Sequence, residues 1–277
     1  MTMALRRPLR IAAAILALCA GLAPPPASAA GDLLVAPTRV VLDGARGTEV
    51  ILNNIGTKPA TYRISLELRR MKEDGQLEDI APESADAREA AALQMVTYAP
   101  RRVTLAPNQP QSIRIGIRAP EGLADGEYRV HMLFRAIPDA LPAAETDPAK
   151  GGFSIALTPI YGVTIPVIVR QGSLQATAAL ADPKLVAVGA GKALAFTLTR
   201  AGDRSVYGAI RVLKPGQAEP VFAARGVAVY AEIGQRTVTL PVSETVAANM
   251  LGPVTIQYVE ENDSGGRLLA EVKGVLR

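Results

Sequence analysis

The chain has 277 residues, is nearly half apolar yet only 4% aromatic, and carries 30 basic against 26 acidic residues. A single cysteine excludes a disulfide framework, and a single histidine leaves little for zinc sites or for base catalysis near neutral pH. So small a net charge, +4, names no nucleic acid or anionic membrane as partner.

The N-terminus predicts export. Arg6, Arg7 and Arg10 precede an apolar stretch from Ile11 to Ala23; Pro24, Pro25 and Pro26 then break any helix, and Ala27-Ser28-Ala29 offers a small-x-small cleavage pattern. The reading is a signal peptide over residues 1–29, too short to cross a hydrocarbon core, which takes about 20 residues. Removing it takes three arginines and no acid, so the charge falls to about +1. Cys19 leaves with it. Leu18 precedes Cys19 where a lipoprotein site wants a small residue, so the mature chain is predicted to be soluble, without thiols and without membrane insertion.

Beyond the leader, apolar residues recur with period 2. Tyr62, Ile64, Leu66 and Leu68 alternate with polar partners, and so do Ile113, Ile115 and Ile117. Such alternation buries one face of a strand. Asp43-Gly44, Asn53 to Pro59, Asp74-Gly75, Ala106-Pro107-Asn108 and Asp125-Gly126 supply turns between these runs. Short strands at this spacing predict antiparallel sandwiches. Ser84 to Met95 is alanine-rich and reads as a short helix capped by Ser84 or as an ordered loop. His131 falls in phase with Arg129 and Arg135, which predicts a solvated strand histidine. The carboxylates at Glu73/Asp74, Glu78/Asp79 and Glu260/Glu261/Asp263 read as solvated runs rather than catalytic pairs. No enzyme chemistry and no cofactor is expected.

Phe153 to Val169 holds period 2 for 17 residues, about three times the usual strand length. It reads either as one long strand or as two, broken at Pro159 or Gly162. As one strand it would project Phe153, Ile155 and Leu157 from an open edge, where an uncovered apolar strand invites a partner. The domain boundary is expected near Gln171-Gly172-Ser173, which separates a first domain over 31–170 from a second over 173–277. The second half continues in the same style, with Leu194, Phe196 and Leu198, then Val254, Ile256 and Tyr258.

Four blocks in order carry a resemblance: APTRVVLDG at 36–44, YAPRRVTLAPNQPQSIRIGIR at 98–118, ADGEYRVHMLFRAIP at 124–138 and IALTPIYGVTIPVIVR at 155–170. Over about residues 33–170 the chain resembles the periplasmic chaperones of the chaperone–usher pathway, the PapD-like family. The resemblance implies two tandem immunoglobulin-like antiparallel β-sandwich domains arranged as a boomerang. It implies pilus or fimbrial subunits as clients, held by donor-strand complementation, a form of β-augmentation, and delivered to an outer-membrane usher. Free protein would then hide the donor strand by self-association or under the loop from Pro138 to Gly152, whose composition predicts mobility. Arg39 matches the family's first-strand arginine, which receives the client's C-terminal carboxylate. The family's second anchor, a lysine on the long strand, has no counterpart. Alignment places Gly162 or Thr164 there, with Tyr161 or Thr164 as neutral substitutes. The competing readings are a structural or adhesive immunoglobulin-like surface protein and, further off, a hydrolase using paired carboxylates.

Overall fold

The computed structural model describes residues 33–43, 47–138, 159–261 and 266–277. Residues 1–29, read as a signal peptide, and Phe153, Ile155 and Leu157, expected to project from an open edge, lie outside the described residues, as does most of the Pro138–Gly152 segment.

The first half is a sandwich of two sheets. One sheet has the order β1 (Leu33–Ala36), β3 (Thr48–Asn54), β8 (Pro110–Ile117) and β6 (Val96–Ala99). The other runs β2 (Val40–Asp43), β10 (Gly162–Gln171), β9 (Gly126–Ile137), β4 (Ala60–Met71) and β5 (Leu77–Ile80), with β7 (Arg102–Leu105) also on β4. Period 2 places the core directly: Tyr62, Ile64 and Leu68 from β4, Ile113 and Ile115 from β8, and Val130, Met132 and Phe134 from β9 meet between the sheets. Fully burying each such side chain contributes roughly 1.5–3 kcal/mol. The chain changes sheets within its first dozen described residues. β1 pairs antiparallel with β3, whereas β2 pairs parallel with β10, in register Val40↔Val167 to Asp43↔Arg170. The link between them, Pro37 to Arg39, therefore crosses one end of the sandwich.

The second half packs β11 (Ala176–Val188), β12 (Gly191–Gly202) and β15 (Gln235–Val242) against β14 (Phe222–Val229), β13 (Val206–Leu213), β16 (Gly252–Glu260) and β17 (Leu268–Leu276). Leu194, Phe196, Leu198, Ile210, Ile256 and Tyr258 form a core separate from the first. The chain is thus two tandem β-sandwich domains, antiparallel except for the β2–β10 pair.

Two expectations need correction, and one open choice is narrowed. The segment after β5 forms helix α1 (Ala87–Met95), but its cap is Asp86, not Ser84, which ends a short 3-10 turn. The Asp86 carboxylate accepts from the Glu89 N–H and Glu89 accepts from the Asp86 N–H, each at 2.8 Å, the reciprocal capping box that D-x-x-E permits. Among the described residues the long alternating run is a strand from Gly162, and Pro159 to Tyr161 are not in strand conformation, in keeping with the reading of a break at Pro159 or Gly162. His131 is not solvated at all: it is 1% exposed.

The last point follows from how the domains meet. The face of β4, β9 and β10 turned away from the first core is covered by the second domain. Met71 and Ile168 from the first domain and Ala228 and Tyr230 from the second form a small apolar cluster of their own. Gly75 belongs to the same contact. Its φ of +83° closes the β4–β5 turn, and a Cβ there would meet the Arg236 guanidinium at 2.1 Å. The Thr237 N–H donates to the Glu73 carbonyl at 2.7 Å, so this turn also caps the outer edge of β15.

Candidate binding cleft between the domains

Two polar clusters flank the apolar contact, one on a nearly closed side with a pocket of about 280 Å³ and the other in a larger open cleft. On the closed side, Arg129 of β9 reaches across to Glu232, donating from Nη1 at 2.8 Å and Nη2 at 2.5 Å. Its guanidinium lies 3.7 Å from the Tyr230 ring centroid, and Glu232 also accepts from the Met71 N–H at 2.8 Å. A bidentate arginine pair stacked on an aromatic face is a geometry lysine cannot reproduce. His131 packs edge-on against Tyr230, with centroids 6.3 Å apart, and neither ring nitrogen has a hydrogen-bond partner among the described residues.

Burial, together with the positive charges of Arg129 and Arg69, drives the His131 pKa down to about 3. Glu67, the carboxylate opposite it on β4, is engaged by Arg69 at 2.8 Å. The imidazole is therefore neutral in the fold and gains a proton on unfolding once the pH drops below about 6.5. The unfolded state then binds more protons, so stability falls with pH between about 6.5 and 3. From pH 7 to pH 5 this loss is about 2 kcal/mol. Denaturant melts at the two pH values should show that slope in the wild type and lose it in His131→Leu. Glu89, held below the usual carboxylate range by Arg70, gives up its stabilisation only at lower pH.

On the open side, a cleft of about 1780 Å³ runs between the domains, with Arg39, Asp43 and Arg170 on one wall and Tyr207, Arg211 and Arg225 on the other. Arg39 stands where the chain enters β2, so its position is fixed by the Val40↔Val167 register. Its guanidinium lies 4.4 Å from the Tyr207 ring centroid, and Nη2 donates to Ser205 Oγ at 3.5 Å. Burial lowers its pKa, and nearby Arg170 lowers it further. Its Nε is buried with no partner among the described residues. A half-buried guanidinium that lines an open cleft is suited to a carboxylate.

Beneath Arg39 lies a carboxylate that sequence reasoning missed. Glu127 is 5% exposed and links the domains: its Oε2 accepts from Arg170 Nε at 3.2 Å and from Ser205 at both N (3.1 Å) and Oγ (2.9 Å). Glu260 and Glu261, read as solvated, are also engaged. Arg204 and Arg267 pair with Glu260 and Arg225 pairs with Glu261, so these acids belong to the cleft wall. One signal in the sequence pointed to this face. Val167-Ile168-Val169 is apolar on both sides of β10, which marks a strand covered twice.

β10 itself is asymmetric. β9 pairs with all of it, from Gly162↔Arg135 to Gln171↔Gly126, whereas β2 pairs only with Val167 to Arg170. From Gly162 to Pro166 its second edge has no strand partner among the described residues. Ile160 and Tyr161 precede that edge and are about half exposed. The β2–β10 ladder begins at Val40↔Val167, directly after Arg39, and Pro166 is the β10 residue just before it. Gly162 and Thr164 lie further along the open half, and Thr164 donates to Glu67 at 3.2 Å. β10 carries no lysine; its cation in the cleft is Arg170, and Tyr161 and Thr164 lie towards the other end of the strand.

No protein-family model and no curated protein matches the chain. Among solved structures it is similar to the YadV chaperone, at 12% identity and TM-score 0.46 over 88% of this chain and 100% of that one. It is similar to the Pseudomonas aeruginosa CupB2 chaperone, at 15% identity and TM-score 0.44 over 88% and 100%. The E. coli chaperone DraB compares at 13% identity and TM-score 0.44 over 88% and 96%. At such identities the likeness is one of backbone course alone.

Proposed function

We propose that this protein is a periplasmic chaperone of pilus or fimbrial subunits. It lends the open edge of β10 to a client strand, takes the client's C-terminal carboxylate at Arg39, and passes the client to an outer-membrane usher. The observation that carries the reading is the juxtaposition of two features. Arg39 sits half-buried in the interdomain cleft with an unpartnered Nε. Immediately beside it, β10 loses the cover of β2 and runs on as an open edge.

The energetics suit a binding protein. Each ladder hydrogen bond to an added strand contributes about 0.5–1.5 kcal/mol net. Phe153, Ile155 and Leu157 continue the alternation of β10 towards its N-terminus, and burying each against a client contributes roughly 1.5–3 kcal/mol as an upper figure. Association and ordering take back a large part. The test is Ile155→Asp combined with Leu157→Asp. The double variant is expected to melt like the wild type and to lose every subunit that co-purifies from periplasm. A variant that unfolds would place both residues in the protein's own core and end the lending-strand reading.

A further inference from the structure

The residues that hold Arg39 belong to the other domain. Ser205 is fully buried at the start of β13, and its N–H and hydroxyl both point at Glu127 Oε2. A hydroxyl that donates to a carboxylate has its lone pairs left for an incoming donor, and that donor is Arg39 Nη2. Glu127 is in turn fixed by Arg170, so the direction of the Ser205 hydroxyl is set by a chain of three buried or half-buried groups. Tyr207 follows two residues later on the same face of β13 and covers one face of the guanidinium. A guanidinium stacked on a ring keeps its donors in the ring-parallel plane, and Arg39 so held lines the open cleft.

We propose that Ser205 and Tyr207 are positioning residues for Arg39, so that the second domain sets how well the cleft binds a carboxylate. The inference rests on the carboxylate reading of Arg39 above. The strand cation that shares the cleft, Arg170 of β10, is already engaged by Glu127. The orientation a second anchor would supply comes instead from pre-ordering the single arginine. A free arginine loses rotamer freedom when it binds, whereas a side chain already held loses little, and the difference appears as affinity.

Acetate is the probe, with acetamide as the uncharged control and sodium chloride at equal ionic strength. The readout is the Arg39 Nε–Hε NMR signal of arginine-labelled protein, with a thermal melt of each variant. Acetate is expected to shift the wild-type signal saturably and acetamide to leave it unmoved. Ser205→Ala and Tyr207→Leu should each raise the apparent acetate Kd at least threefold. Ser205→Thr and Tyr207→Phe, which keep the hydroxyl and the ring face, should restore it. Ser205→Ala and Tyr207→Leu with wild-type acetate affinity would overturn the positioning role while leaving the carboxylate reading in place. A failure of Ser205→Thr and Tyr207→Phe to rescue would reduce both residues to domain packing and also overturn it. A wild-type signal indifferent to acetate would overturn both readings. Should Ser205→Ala fail to fold, the Tyr207 pair decides the matter, since Tyr207 is only half-buried.

Discussion

Arg39→Ala is expected to weaken client binding by about 2–5 kcal/mol, much of it the cost of leaving a desolvated carboxylate unpaired. The effect should lie towards the upper end, because Arg170, the β10 cation in the same cleft, is already engaged by Glu127. Folding should change little. The contact with Tyr207 contributes about 0.5–1 kcal/mol, and truncation also removes a guanidinium whose lowered pKa already reflects the cost of burial. Arg39→Lys should recover part of the affinity but not all of it, since an ammonium lacks the two-pronged geometry. Calorimetry on the subunit that co-purifies with the wild type measures the effect, and a melt of each variant separates it from stability. Wild-type affinity in Arg39→Ala would remove the anchor from the mechanism.

Glu127→Ala is expected to have the largest effect on the protein itself. Glu127 is the acceptor that Arg170 and Ser205 share, and its side chain is 1% exposed against 19% for that of Arg170. Removing one member of a buried pair strands the other, typically at about 3–5 kcal/mol. Arg170 retains some access to the cleft, so the loss should lie near the lower end, about 3 kcal/mol. Glu127→Gln should cost less, because its amide oxygen still accepts from Ser205. The loss should appear as a lower melting temperature together with faster proteolysis between Gln171 and Ala176, where the domains are joined. An Glu127→Ala protein with unchanged melting and unchanged cleavage would show the cluster to be dispensable for domain docking.

Much of the sandwich architecture was legible because period 2 is a local signal. Tyr62 to Leu68 and Ile113 to Ile117 each announce which face meets the core of their own domain, and both strands form with that face inward. The same signal is silent about what covers the opposite face. His131, Met71 and Ile168 sit on that face of β9, β4 and β10, and their burial is decided by Ala228 and Tyr230, far along the chain. Glu127 illustrates the point for charge. In sequence it is one acid after an Asp-Gly turn, and only its contacts with Arg170 and Ser205 give it a role. Arg39 was identified by resemblance, but Ser205 and Tyr207 could not have been, since no spacing links residues more than 160 positions apart. The cap of α1 was legible in principle, because Asp86 and Glu89 have the capping-box spacing that Ser84 lacks.

The join between the domains is short. β10 ends at Gln171 and β11 begins at Ala176, and Gly172 turns the chain with a φ of +81° where a Cβ would meet the Asp125 carboxylate at 2.2 Å. A tether of this length holds two surfaces at an effective concentration on the order of millimolar. The surfaces that meet set one apolar cluster, Met71, Ile168, Ala228 and Tyr230, among ion pairs and charged groups. Joined as they are, a weak intrinsic affinity is enough to keep the cleft formed. The hinge thereby frees the buried face from having to be sticky, and Arg129, Arg170 and Glu127 sit where a standalone interface would need leucines.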